Sequence, residues 1–303
     1  MNFSLMTLGT ASALPTAGRY PSAHILTVRE RLFLIDCGEG AQMQIRKAGI
    51  SMARIDNILI SHLHGDHIFG LFGLLSTFGM AGRQNPLYIY APERMSQILD
   101  FFKREFGDVV KYEIVLNSVK CREPLKIYEN RIMEIHAFPL RHREETYGYL
   151  FREKQPRPNI IKEAIEKYNL SLYEIARLKE GKDIGRVASS EVTYIPYTPR
   201  SFAYCSDTAP FKPLSGWISG VDLLYHEATF TEEYRELAKK TFHSTAADAA
   251  RCALEAGAKR LVLGHFSSRF KSVAPILKEA RSLFKESYLA KEGSVFDIPL
   301  QKK

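Results

Sequence analysis

The densest chemistry in the chain lies in one short segment, Ser61-His62-Leu63-His64-Gly65-Asp66-His67. Three imidazoles and a carboxylate fall within six positions there. That donor set suits zinc, which prefers nitrogen ligands with an occasional carboxylate. An apolar strand-like run, Ile58-Leu59-Ile60, precedes the segment and an apolar helical run, Ile68–Phe78, follows it. A loop at a strand end converges side chains that a continuous strand or helix would keep apart at this spacing. The polar knot therefore sits at the edge of a core, where desolvation without a partner would be costly. One zinc takes four ligands, or three and a water, so four candidates in one loop invite a second metal completed from elsewhere.

Three later positions supply the remainder. His142 follows the strand candidate in Phe138-Pro139-Leu140-Arg141-His142, Asp207 ends Ala203-Tyr204-Cys205-Ser206-Asp207, and His265 ends Leu261-Val262-Leu263-Gly264-His265. Taken singly, a strand-end histidine is ordinarily structural. Jointly with the loop, three donors placed just after apolar strands can share one rim of a sheet sandwich.

The elements that must position these groups alternate along the chain. Strand candidates rich in branched and aromatic residues include Phe3–Leu8, Leu32–Asp36, Asn57–Ser61 and Leu87–Ala91, then Ser201–Cys205, Asp222–Tyr225 and Leu261–Gly264. Helix candidates are Ala41–Ala48, Glu93–Phe106, Thr245–Ala256 and Val273–Phe284. Gly49 and Gly257 follow two of them where a left-handed cap belongs, and Pro92 sits where a first-turn proline is tolerated. The pattern predicts a layered α/β architecture, with strand spacing too irregular for a doubly wound sheet. From about Glu153 to Ile195 the core periodicity gives way to Gln155-Pro156-Arg157-Pro158 and a charged helical stretch, an excursion from the globule.

Composition sets the outer bounds. With 303 residues, 45% hydrophobic and 25% charged, the chain reads as a soluble globular protein without a membrane-spanning run or a secretory leader. Four scattered cysteines, Cys37, Cys121, Cys205 and Cys252, fit a reducing, cytoplasmic setting better than a disulfide scaffold. A net charge of +8 favours an anionic partner such as nucleic acid, or else a solvated surface with surplus lysines.

The pattern His62-x-His64-x-Asp66-His67 with His142, Asp207 and His265 resembles the metallo-β-lactamase superfamily. Further runs resemble its ribonuclease Z family: Leu8-Gly9-Thr10-Ala11-Ser12-Ala13-Leu14-Pro15-Thr16, Asp36-Cys37-Gly38-Glu39-Gly40-Ala41-Gln42, His226-Glu227-Ala228-Thr229, His243-Ser244-Thr245 and His265-Phe266-Ser267-Ser268-Arg269-Phe270. Phe270 and Ala41 stand where the family commonly has Tyr and Thr. The resemblance implies a four-layer αβ/βα sandwich formed by a single domain over residues 1–303, with an inserted RNA-binding arm at about 153–195. It implies two zinc ions per subunit, one on His62, His64 and His142, the other on Asp66, His67 and His265, with Asp207 bridging. Asp36 is then a supporting carboxylate behind the ligands, or simply a strand-ending turn residue.

By the same resemblance the expected reaction is removal of the 3′ trailer from transfer-RNA precursors, in a homodimer. Asp66 is the expected general base, and His243 oriented by Glu227 the expected proton donor. Arg269 is a candidate phosphate contact or a surface ion pair. On the arm, Lys179 and Lys182, with Lys154, Arg157, Lys162 and Lys167, offer an electrostatic hold on RNA, partly offset by Glu163, Glu166, Glu174 and Glu180. The same ligands also serve other hydrolases of this fold, among them small phosphodiesterases and lactonases, and a noncatalytic nucleic-acid-binding module is a reading of a different class.

Overall fold

The computed structural model describes residues 2–16 and 18–301. Its strands are β1 (Phe3–Gly9), β2 (Ala23–Val28), β3 (Arg31–Cys37), β4 (Ile55–Leu59), β5 (Leu87–Pro92), β6 (Ile114–Val119), β7 (Leu125–Glu129) and β8 (Met133–Pro139). They continue as β9 (Tyr147–Glu153), β10 (Asn159–Ile160), β11 (Thr193–Tyr194), β12 (Ser201–Cys205), β13 (Leu223–Glu227), β14 (Leu261–Gly264), β15 (Ser287–Leu289) and β16 (Val295–Asp297). Two seven-stranded mixed sheets result, in the orders β16-β1-β2-β3-β4-β5-β6 and β15-β14-β13-β12-β9-β8-β7.

Alternation along the strands explains the layering. In β1 and β3, Phe3, Leu5, Phe33 and Ile35 point to the space between the sheets, where they meet Ile135, Tyr149, Phe151, Phe202 and Tyr204 from the second sheet. Leu8, Leu32 and Leu34, on the opposite face, pack under α1 (Ala41–Lys47), α2 (Gly65–Met80) and α3 (Met95–Phe106). The second sheet's outer face is covered by α7 (Pro213–Trp217), α9 (Ala246–Glu255) and α10 (Ala274–Leu283). The order is helix, sheet, sheet, helix, as expected. Each fully buried aliphatic or aromatic side chain in these layers contributes roughly 1.5–3 kcal/mol. No helix among the described residues is long and apolar enough to cross a membrane.

Three expected boundaries shift for physical reasons. Strand β4 ends at Leu59 rather than Ser61, because Ser61 turns to bond Asp36. Strand β13 begins at Leu223, since the Asp222 carboxylate accepts from the Ser201 N–H instead, and it runs on through Glu227. Pro92 closes β5 rather than opening a helix; α3 starts at Met95. Gly49 and Gly257 do take left-handed angles, φ 70° and 62°.

Between β9 and β12 the chain builds a small unit of its own. It comprises β10 and β11, paired Asn159↔Tyr194, and α4 (Lys162–Lys167), α5 (Leu172–Lys179) and α6 (Ser189–Val192). Ala164, Leu170, Leu178, Val187 and Val192 form a separate apolar cluster inside it. Ser171 caps α5 in a reciprocal box with Glu174.

Candidate metal centre

Strand direction gathers the donors. Strands β12, β13 and β14 are mutually parallel, and β8 runs with them because both β8 and β12 are antiparallel to β9. The C-terminal ends that release His142, Asp207 and His265 therefore share one edge. In the first sheet β3 and β4 are parallel, so Asp36 and His62 also emerge together. The two edges are joined where the Tyr147 N–H donates to the Ser61 carbonyl at 2.9 Å and the Tyr149 hydroxyl to the Ile60 carbonyl at 2.6 Å. The first turn of α2 carries Asp66 and His67 beside its cap residue His64.

All seven expected ligands meet. His62, His64, His142 and Asp207 form one group and Asp66, His67 and His265 another, the ligand atoms of each lying within 4.8 Å of one another. Asp207 divides its oxygens between them. Its Oδ2 lies 3.6 Å from His62 Nε2 and 3.9 Å from His142 Nε2, while Oδ1 lies 3.5 Å from His67 Nε2 and 3.2 Å from His265 Nε2. Asp66 Oδ2 is 3.4 Å from both His67 Nε2 and His265 Nε2.

The outer nitrogen of each of four rings is anchored, which fixes the tautomer. His67 Nδ1 donates to Asp36 Oδ2 at 2.8 Å, and His142 Nδ1 to the Phe242 carbonyl at 3.0 Å. Ser61 Oγ donates to Asp36 and so accepts from His62 Nδ1 at 3.0 Å; Thr229 Oγ1 donates to Glu227 and accepts from His265 Nδ1, also at 3.0 Å. The four Nε2 lone pairs are left facing inward, as metal-binding histidines require. His64 instead turns Nδ1 inward, 2.9 Å from His62 Nε2. His67 Nε2 is buried with no hydrogen-bond partner. An orphaned ring nitrogen among four further imidazoles and two carboxylates fits a pair of divalent cations, and the nitrogen-rich donor set suits zinc.

Electrostatics agree with that fit. Burial, then the crowding of His67, His64 and His142, pushes His62 well below its usual range, keeping the ring neutral. Burial would raise Asp66, yet His67 and His265 hold it well below the carboxylate range. Burial would lower His67, but Asp66, Asp207 and Asp36 together raise it. A bound cation would take that proton's place as the counter-charge. Asp36 and His265 adopt left-handed backbone, φ 54° and 59°, strain of the kind that collects at functional sites.

His243 and Glu227 lie beside the ligands. Glu227 Oε1 accepts from His243 Nδ1 at 2.9 Å and from the N–H groups of Thr208 and Ser244 at 3.0 Å each. The His243 ring packs between those of His142 and His265, with centroids 5.2 and 5.5 Å away. Burial opposes charge on both partners, but each holds the other ionised: Glu227 falls to about 2 and His243 rises to about 9. Arg269 is exposed on the loop after His265. Lys179 and Lys182 are not brought to the centre. They stand on the unit between β9 and β12, whose root lies at the far end of β9, about 20 Å along seven residues from the metal rim. Lys182 pairs there with Glu180 at 2.8 Å. Sequence reasoning missed Tyr204, whose hydroxyl donates to Asp36 Oδ2 at 2.6 Å; a tyrosine on a buried strand carries no mark of that role.

Residues 3–154 match the family described as anti-Pycsar protein Apyc1, and residues 176–266 the beta-lactamase superfamily domain. Ribonuclease Z of Bacteroides fragilis is 44% identical over 297 residues, 96% of this chain and 97% of that protein. Ribonuclease Z of Porphyromonas gingivalis is 42% identical over 301 residues, covering 98% and 99%. Among solved structures, human tRNase Z, short form, superposes with a TM-score of 0.73 at 26% identity, covering 98% of this chain and 99% of that one. The Bacillus subtilis metallo-beta-lactamase fold protein YhfI, at 18% identity and a TM-score of 0.71, covers 98% of this chain and all of its own, a likeness of fold alone. With near-complete coverage at this identity, the chain belongs to the ribonuclease Z family of the metallo-β-lactamase superfamily.

Proposed function

We propose that the protein is an endoribonuclease that removes the 3′ trailer from transfer-RNA precursors, leaving a 3′-hydroxyl on the RNA and a 5′-phosphate on the trailer. The observation that carries this reading is the division of Asp207 between two imidazole groups beside the His243–Glu227 pair. Two zinc ions per subunit, when bound, supply an activated water and positive charge for the phosphate oxygens. The chain's own residues do the rest. Asp66 accepts the proton of the attacking water. Glu227 holds His243 by Nδ1, so that Nε2 delivers a proton to the departing 3′-oxygen. Arg269, exposed beside His265, contacts a flanking phosphate.

The arm at about 153–195, with Lys179 and Lys182, grips the body of the RNA away from the cut. Rooted at the opposite edge from its own metal rim, it serves the site of a second subunit. The exposed aromatics Phe69 on α2 and Phe101 and Phe106 on α3 provide an apolar face for a homodimer. All four cysteines are free, in keeping with a reducing cytoplasm. End-mapping of product from a purified precursor transfer RNA, with and without chelator, tests the function. One cut at the trailer junction, lost with chelator and restored by zinc, supports it; uncut precursor with zinc present contradicts it.

A further inference from the structure

His243 lies between two helix ends, and both fix its backbone. Helix α8 (Arg235–Thr241) closes with the Phe242 N–H donating to the Lys239 carbonyl at 3.3 Å and the His243 N–H to the Ala238 carbonyl at 2.9 Å. Those are the paired bonds of a Schellman ending. On the other flank, Thr245 caps α9 in a reciprocal box with Asp248. The left-handed residue of the Schellman ending is Phe242, φ 58°, where glycine would sit without strain.

Phe242 is gripped from the loop after β8. Its carbonyl accepts the His142 Nδ1 proton at 3.0 Å. The guanidinium of the next residue, Arg143, lies 5.9 Å from the Phe242 ring centroid. Arg143 Nη2 also donates at 2.5 Å to the carbonyl of Lys240, in the last turn of α8, where carbonyls lack intrahelical partners. The pair His142–Arg143 thus holds the segment that leads into His243 at three points, two on Phe242 and one on Lys240. What phenylalanine adds over glycine here is a ring, and the ring is what Arg143 covers.

The geometry points to Arg143 as a positioning residue for proton delivery. It acts through Phe242 to hold the His243 imidazole in register with the metal ligand His142. This rests on the assignment of His243 as proton donor. An arginine suits the task because its planar guanidinium stacks on a ring while still donating to a carbonyl, which lysine does less well. A displacement of about 1 Å at a reacting group lowers a rate by as much as about 10²-fold.

The test compares two substrates on the full-length, metal-loaded enzyme. Precursor transfer RNA needs a proton on its leaving oxygen; a bis(nitrophenyl) phosphate releases a stable anion and does not. Arg143→Ala is expected to lower kcat on the RNA by about ten-fold or more, with KM within about two-fold, and to slow the chromogenic diester far less. Arg143→Lys should restore little. Phe242→Gly suits the left-handed backbone and removes the platform, so adding Arg143→Ala to it should change kcat by less than about two-fold. A raised KM with unchanged kcat makes Arg143 a direct phosphate contact and overturns the inference. Equal loss on both substrates with reduced zinc content makes it a support for His142 alone and also overturns it, as do additive effects in the Phe242→Gly background. If His243→Ala cleaves RNA at the unmodified rate, the proton-donor assignment falls and this inference with it. If His243→Ala is slow while Arg143→Ala is not, only the role of Arg143 is refuted.

Discussion

Which nitrogen four of the five clustered imidazoles turn inward follows from what the other nitrogen touches, and Asp36 shows how much one carboxylate settles. It accepts from the Ser61 N–H and Oγ, from His67 Nδ1 and from the Tyr204 hydroxyl. An amide there presents a donor to at least one of these donors, so Asp36→Asn should weaken zinc binding about 10- to 100-fold in chelator competition. Unchanged affinity would remove Asp36 from the account. His243 offers a pH test. Glu227 outweighs burial and raises it to about 9, so the proton-donating form prevails at neutral pH and kcat falls as pH rises through the folded value. Neighbouring cations, when bound, would lower that value, which puts the expected alkaline limb at or below about 9. Glu227→Gln should move the limb to lower pH; a limb that stays put contradicts the pairing. The seven candidate donors could be picked out in sequence because four crowd into one loop and the other three each follow an apolar strand. Thr229 as the link between His265 and Glu227, and Phe242 in a left-handed turn, were not, since neither identity signals its geometry.

The strands and helices bounded in the sequence match observed elements to within two residues, with shifts where side chains compete with the ladder, at Ser61 and Asp222; β2, β6, β7, β9, β15 and β16 were not picked out. The segment between β9 and β12 read as an excursion by its loss of core periodicity. Its own apolar cluster was hidden, because Ala164, Leu178 and Val192 are spread over three short helices with no shared period. That independence makes deletion a fair experiment. Removing about residues 156–190 should cut the rate on precursor RNA at least ten-fold, on the order of the loss of several phosphate contacts, and leave the chromogenic diester nearly unaffected. Equal loss on both substrates would place the segment's role at the metal centre instead.

The two sheets are held face to face by the apolar layer between them, and one polar lock closes the edge away from the metals. Glu153 accepts from Arg200 Nε at 2.9 Å and Nη2 at 2.9 Å, and Arg29 Nε lies 3.5 Å from it; the Glu153 and Arg200 side chains are almost wholly buried. Glu153→Gln removes the buried carboxylate charge that the Arg200 guanidinium faces and should lower unfolding stability by about 3–5 kcal/mol in urea titrations. A loss under about 1 kcal/mol would show that this lock is dispensable. At the other edge the same sandwich brings seven donors from four strand ends and one helix start to a single place. Metal analysis of the purified protein, alongside its activity, addresses that convergence most directly. Two zinc ions per chain are expected, with Asp207→Ala losing both bound metal and cleavage. Full activity in protein stripped of metal, or Asp207→Ala that keeps two ions and turns over normally, would contradict it.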